Sequence, residues 1–211
     1  MKLLMRIALV GVVLGALLLA SPAVAQGPER NTAITGWPPY TFGADLATIL
    51  PANSTLKKGC TSGDQRIQEP PGWLCLEGRV DAPISGRAYP AIISLWFFEE
   101  QEPEKRSRLE MVVLTWVFES PISRRMSLDA LAREVHANYA PELYRGETTA
   151  VPSEKENPVI ATLWQDAQGK RLAIVHGTGQ PTLLLTYTSA WVAGMTPPAA
   201  ITPSAVPPAK Y

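Results

Sequence analysis

Two histidines, His136 and His176, and two cysteines, Cys60 and Cys75, are the residues of this 211-residue chain best suited to nucleophilic, acid–base or metal chemistry. His176 ends an apolar run just before Gly177-Thr178-Gly179. An imidazole titrates near neutrality, and glycines let a ligand approach the backbone, so a histidine placed there could act as a general base or a ligand. The plainer reading is a strand-terminal histidine followed by a turn, because the sequence identifies no nucleophile and no orienting acid for it. His136 falls at the edge of a helical apolar stripe, where a partly exposed structural residue is expected.

Cys60 and Cys75 are an even pair in a chain whose start reads as an export signal, and the expectation is one intramolecular disulfide. Such a bond would close a loop through Pro70-Pro71-Gly72-Trp73 and stabilise the fold by about 3 kcal/mol. A thiol nucleophile would need a base beside it, and a zinc site about four ligands, which two cysteines and two distant histidines do not offer by spacing. The carboxylates Glu99, Glu100, Glu102 and Glu104 could in principle hold a hard cation. Lys105, Arg106 and Arg108 follow at once, and Pro103 interrupts the run, so a self-neutralising connection is expected, with no metal site and no cofactor. Gly177-Thr178-Gly179-Gln180-Pro181 lacks the Gly-Lys-Ser/Thr end of a phosphate loop and the third glycine of a dinucleotide fingerprint. Neither a Gly-x-Ser-x-Gly elbow nor a His-Glu-x-x-His helix occurs.

A second kind of candidate is a contact surface. Trp37-Pro38-Pro39-Tyr40 and Pro70-Pro71-Gly72-Trp73 join rigid prolines to large aromatic rings, and such segments lose little entropy on docking. Trp37, Tyr40, Trp73 and His176 are therefore the candidate binding surface, the alternative being that Trp37 and Trp73 fold back to cap the sheet. Asn53-Ser54-Thr55 fits the glycosylation sequon, which matters only in a eukaryotic host.

The elements that must position these groups follow from the pattern. Lys2 and Arg6, the uncharged run from Ile7 to Ala20 and the small residues of Ala23-Val24-Ala25 predict a cleaved signal peptide over residues 1–25. An uncleaved anchor is the alternative. No later run approaches the apolar length needed for a membrane-spanning helix. The chain has 19 Lys and Arg against 19 Asp and Glu, and the leader carries two bases and no acid, so the mature protein is slightly acidic. With its basic residues interspersed among acids, nucleic acid is not an expected partner. A composition of 46% hydrophobic and 18% charged residues predicts a packed domain over 26–194, with a flexible lead-in over 26–35. The five prolines of residues 195–211 predict a disordered, extended tail.

Within the domain, strands are predicted at Leu76–Asp81, Ala91–Phe98, Leu109–Phe118, Val159–Gln165, Arg171–His176 and Thr182–Val192. Residues Gly146–Asn157 read as a polar loop. A short helix is predicted over Ala44–Ile49, ending at Pro51. The main helix is predicted to start at an Ser127 N-cap, to carry Leu128, Leu131, Ala132, Val135 and Tyr139 on one stripe, and to stop before Pro141. Trp96, Trp116, Trp164 and Trp191 are expected on strands. The fold expected is α+β: an antiparallel sheet of about five to six strands, one main helix packed on it and one disulfide-stapled loop. The function expected is that of an exported, non-catalytic domain that binds a protein or envelope component. A secreted hydrolase built around His176 and an accessory subunit held by an uncleaved N-terminal helix are the alternatives.

Overall fold

The computed structural model describes residues 30–62, 65–100, 106–150 and 157–195. The expected leader and residues 196–211 of the expected tail lie outside them. Strands β1 (Gly36–Trp37) and β2 (Tyr40–Thr41) form a small ribbon, followed by helix α1 (Leu46–Ala52) and strands β3 (Lys57–Lys58), β4 (Thr61–Ser62) and β5 (Gln65–Arg66). Three long strands come next, β6 (Trp73–Ile84), β7 (Arg87–Glu99) and β8 (Ser107–Val117). Helix α2 (Pro121–Asn138) leads to β9 (Tyr144–Ala150), β10 (Val159–Gln165), β11 (Arg171–Gly177), β12 (Thr182–Thr188) and helix α3 (Ala190–Met195). One antiparallel sheet has the order β3-β6-β7-β8-β12-β11-β10-β9, so the two meanders meet where β8 pairs with β12.

The architecture is α+β with a large antiparallel sheet, as expected, but the sheet has eight strands, not five or six. The two strands not foreseen lie at its edges. β3 is only two exposed lysines long, and β9 exposes Arg145, Glu147, Thr148 and Thr149. An edge strand wet on both sides shows no apolar alternation, so β9 reads as a polar loop even though it pairs with β10 from Tyr144 to Ala150.

Helix α2 begins seven residues earlier than its apolar stripe suggests. Ser120 caps it by accepting a hydrogen bond from the Ser123 N–H (3.1 Å), and Pro121 occupies the first turn, where its missing N–H costs nothing. Ile122 and Met126 are 75% and 71% exposed, so apolar periodicity is lost at the start of the helix, and Ser127 is a buried interior residue instead of a cap. From Leu128 to Tyr139 the expected stripe packs on the core. α1 runs through Pro51 to Ala52, its Asp45 cap accepting from the Ala47 N–H at 2.9 Å. The last strand stops at Thr188, and Trp191 therefore lies on a helix, a correction to its expected place on a strand.

The segment expected as a flexible lead-in is docked from Asn31 onward. Asn31 pairs with the end of α2 through the Asn138 and Ala140 backbone, and Ile34 is fully buried. The Ile34 N–H donates to Asp166 Oδ2 (3.0 Å); the other carboxylate oxygen of Asp166 accepts from the Gln168 and Lys170 N–H groups in the β10–β11 turn. Gly169 closes that turn at φ +85°.

One face of the sheet carries the core: Leu76, Ile93, Leu95, Phe97, Val112, Leu114, Trp116, Leu183, Leu185, Leu172, Ile174 and Trp164 pack beneath α2. Trp116 and Trp164 are among the largest side chains fully enclosed there, whereas Trp96 points to the other face and is partly exposed. Trp164→Ala is expected to lower folding stability by about 3–5 kcal/mol; chemical denaturation checks this, and an unchanged midpoint would show that the ring is not part of the core.

Candidate functional site

His176 is placed by β11, where the registers Trp164↔Leu172 and Ile160↔His176 put it on the helix-covered face together with Leu172 and Trp164. Leu183 of β12 pairs with His176 on one side and Trp116 of β8 on the other. Trp116, Leu183 and His176 thus form one row across three strands, and at a strand spacing of about 4.8 Å the outer two backbones stand roughly 10 Å apart. The start of α2 sits above this row because the link from β8 is short. Phe118 donates its N–H to the Pro181 carbonyl (3.0 Å), and the Ser120 cap follows two residues later. Arg124, in the second turn, donates from Nη1 to the Gly177 carbonyl at 3.1 Å.

The result is a corner of buried polar groups. Arg124, His176 and Trp116 are 7%, 9% and 1% exposed, and among the described residues Arg124 Nε, His176 Nδ1 and Trp116 Nε1 all lack a hydrogen-bond partner. No carboxylate pairs with Arg124 among the described residues. Burial lowers the pKa of Arg124. Burial also lowers that of His176, the Arg124 charge lowers it further, and a hydrogen bond with the Gly177 backbone opposes both. Hydrolysis would need a nucleophile and an acid at His176; among the described residues neither hydrogen-bonds to it, and its charged neighbour is a cation. What the corner offers instead is donors: the indole N–H and the guanidinium N–H can only donate.

The other sequence-predicted residues lie elsewhere. Trp37 and Tyr40 stack at 6.2 Å on the β1–β2 ribbon, and the Tyr40 hydroxyl donates to Asn53 Oδ1 (3.1 Å) while its ring joins the core. That ribbon adjoins Leu109, at the opposite end of β8 from Trp116, roughly 23 Å away at 3.3 Å per residue. Trp73 lies on the opposite face, stacked on Trp191 (5.7 Å) and edge-on to Phe98 (5.6 Å). The four do not converge. Cys60 and Cys75 stand at disulfide distance, with Cα atoms 5.6 Å apart, and anchor the β4–β5 segment to β6. His136 is exposed and packs edge-on against Trp164 (5.1 Å). Glu100 pairs with Arg108 at 2.9 Å, while Glu102 and Glu104 lie outside the described residues. Among the described residues no three His, Cys, Asp or Glu side chains group as metal ligands.

The face opposite α2 is the second candidate surface. Ile92, Trp96, Met111, Val113 and Leu184 point there and remain partly exposed. At one end α3 covers it, with Trp191 against Trp73 and Phe98 (4.4 Å). At the other end Arg79, Asp81, Pro90, Ile92, Thr115 and Val117 line an open depression of about 470 Å³.

Sequence reasoning missed Arg124. It stands beside Arg125, which is exposed, and nothing in the order of residues tells the two apart. Comparison with protein-family models, with curated proteins and with solved structures found no match.

His176 makes stability pH-dependent in a defined direction. Its folded pKa lies below the ordinary value near 6.5, so at intermediate pH the unfolded chain binds a proton that the folded protein does not. The stability is intact above that value and is lost as pH falls through it toward the folded pKa. Between about pH 7 and pH 5 the wild-type melting temperature is expected to fall more steeply than that of His176→Gln; parallel curves would show that His176 titrates as it does in the unfolded chain.

Proposed function

We propose that this chain is an exported binding domain that meets a protein partner through the open face of its sheet. The observation that carries the reading is the set of partly exposed apolar residues Ile92, Trp96, Met111, Val113 and Leu184 on that face, with Trp191 of α3 packed at one margin and Leu184 adjoining the smaller buried cluster of Val159, Ala173 and Val175. A contiguous apolar patch on a sheet is costly in water and is the usual mark of a contact surface. The depression at its far end adds Arg79 and Asp81 as a polar rim around an apolar floor, the pattern of a protein interface. Export is supported by the basic, apolar and small-residue segments of residues 1–25 and by a cysteine pair at disulfide distance. No helix among the described residues is long and apolar enough to cross a membrane. The hydrolase alternative is not favoured, since the charged group that acts on His176 is the cation Arg124.

Two measurements test the reading. The exported form is expected to have a mass that begins at Gln26; a chain still starting at Met1 would favour the anchored alternative. A photo-crosslinking residue at Ile92, introduced in the producing host, is expected to capture a protein of defined mass that the same residue at Arg133 on the exposed side of α2 does not. Trp96→Asp in a folded protein should abolish that adduct. Equal capture from both positions, or an adduct indifferent to Trp96→Asp, rejects the open face as the contact.

A further inference from the structure

We propose that the corner formed by Arg124, Trp116 and His176 is a binding site for one carboxylate group. It lies on the helix-covered face and does not depend on the open face being a contact surface.

The inference starts from charge. A guanidinium stays protonated in proteins, and a buried one is normally paired, because removing a charge from water is costly unless an opposite charge or several hydrogen bonds replace the solvent. Arg124 is buried, and among the described residues Nη1 on the Gly177 carbonyl is the one hydrogen bond of its side chain. That carbonyl is a neutral acceptor and leaves the positive charge unmatched. Nε is enclosed and points at no acceptor.

The neighbouring groups can supply further donors. Trp116 Nε1 is a buried donor without an acceptor, and it cannot accept. His176 Nδ1 is likewise unpartnered; it donates in one neutral tautomer and in the imidazolium. The row Trp116–Leu183–His176 lies on the covered face, and Arg124 reaches the end of that row. Two unpartnered ring nitrogens on the sheet face that one unmatched cation covers call for an anion. A single fixed charge is neutralised by a monoanion, whereas a doubly charged phosphate would leave an excess. The planar guanidinium fork matches a carboxylate. The corner is one residue inside the end of the sheet, next to the exposed Thr178 and Gly179.

A carboxylate can come from a small organic acid or from the end of a peptide, and the experiment separates them. The indole N–H resonance of Trp116, assigned by its loss in Trp116→Phe, is followed while the full chain is titrated with sodium acetate, with trialanine and with trialanine amide, each against sodium chloride at equal ionic strength. The expected result is a saturable shift of that resonance with acetate or trialanine and none with the amide. Tighter binding of trialanine than of acetate identifies a chain terminus as the source, and the reverse identifies a free acid. Arg124→Met should weaken the response at least tenfold. Where Arg124→Met fails to fold, Arg124→Lys keeps the charge but loses the fork and should weaken it severalfold. No response beyond that of chloride, an equal response to the amide, or an undiminished response in the folded Arg124 variant overturns the assignment.

Discussion

The pairing of β8 with β12 is the constraint on which the rest of the structure depends. It runs from Met111 opposite Thr188 to Val117 opposite Thr182, across everything between the two strands in sequence. Closing so long a connection costs entropy, but that cost grows only slowly with length. What offsets it is the covered face, where Trp116, Leu114 and Val112 meet Leu183, Leu185 and Tyr187. Without this pairing the meanders β6–β8 and β9–β12 would each present an open edge, and α2 would have no continuous surface on which to bury Leu131 and Val135.

The same pairing decides which polar groups are brought together. By setting Trp116 and His176 on either side of Leu183, it creates the corner that Arg124 completes from the start of α2. At the other end of β8 the ladder slips between Trp96 and Phe97, and Glu110 is buried beside it. Its carboxylate accepts from the Ser189 hydroxyl, and its carbonyl accepts from the Ser189 N–H at 2.9 Å. Ser189 in turn begins α3, accepting at Oγ from the Val192 N–H (3.3 Å). A charged residue inside an apolar strand thus ends the last strand and turns the chain onto the open face, where Trp191 meets Trp73 and Phe98.

Much of this order was legible in the sequence, and the losses have physical causes. β7, β8, β10, β11 and most of β12 bury apolar residues on at least one face, so β-branched and aromatic runs marked them. β9 was not legible because an edge strand takes its stability from the neighbouring backbone, which leaves no trace in its own side chains. The first two turns of α2 were hidden because Ile122 and Met126 face solvent, although Ser120-Pro121 is a capping signal in its own right. The run to Val192 reads as one strand because β-propensity does not register the Glu110–Ser189 bond that breaks it. At the corner, His176 and its sheet face could be read from turn symmetry. Arg124 could not, since its burial is a consequence of where α2 begins and of a partner on β11, both long-range facts.

The treatment of buried charge elsewhere in the fold sharpens what Arg124 implies. Besides His176, three side chains of formally charged type are buried among the described residues: Glu110, Asp166 and Arg124. Asp166 accepts three backbone N–H bonds, and Glu110 has Ser189 and the Arg108 guanidinium at 3.4 Å. Each carboxylate therefore has its solvent shell replaced by donors or by a cation, which is the condition for burying a charge at tolerable cost. Arg124 meets that condition only in part, through one neutral carbonyl, and of the other unpartnered groups on that face the Trp116 indole can only donate. A sheet that matches two carboxylates so fully and leaves its buried cation unmatched among the described residues has a position suited to the carboxylate of a ligand. Donors that are already fixed in place need no reorganisation when a carboxylate arrives, so its hydrogen bonds to them contribute directly to binding.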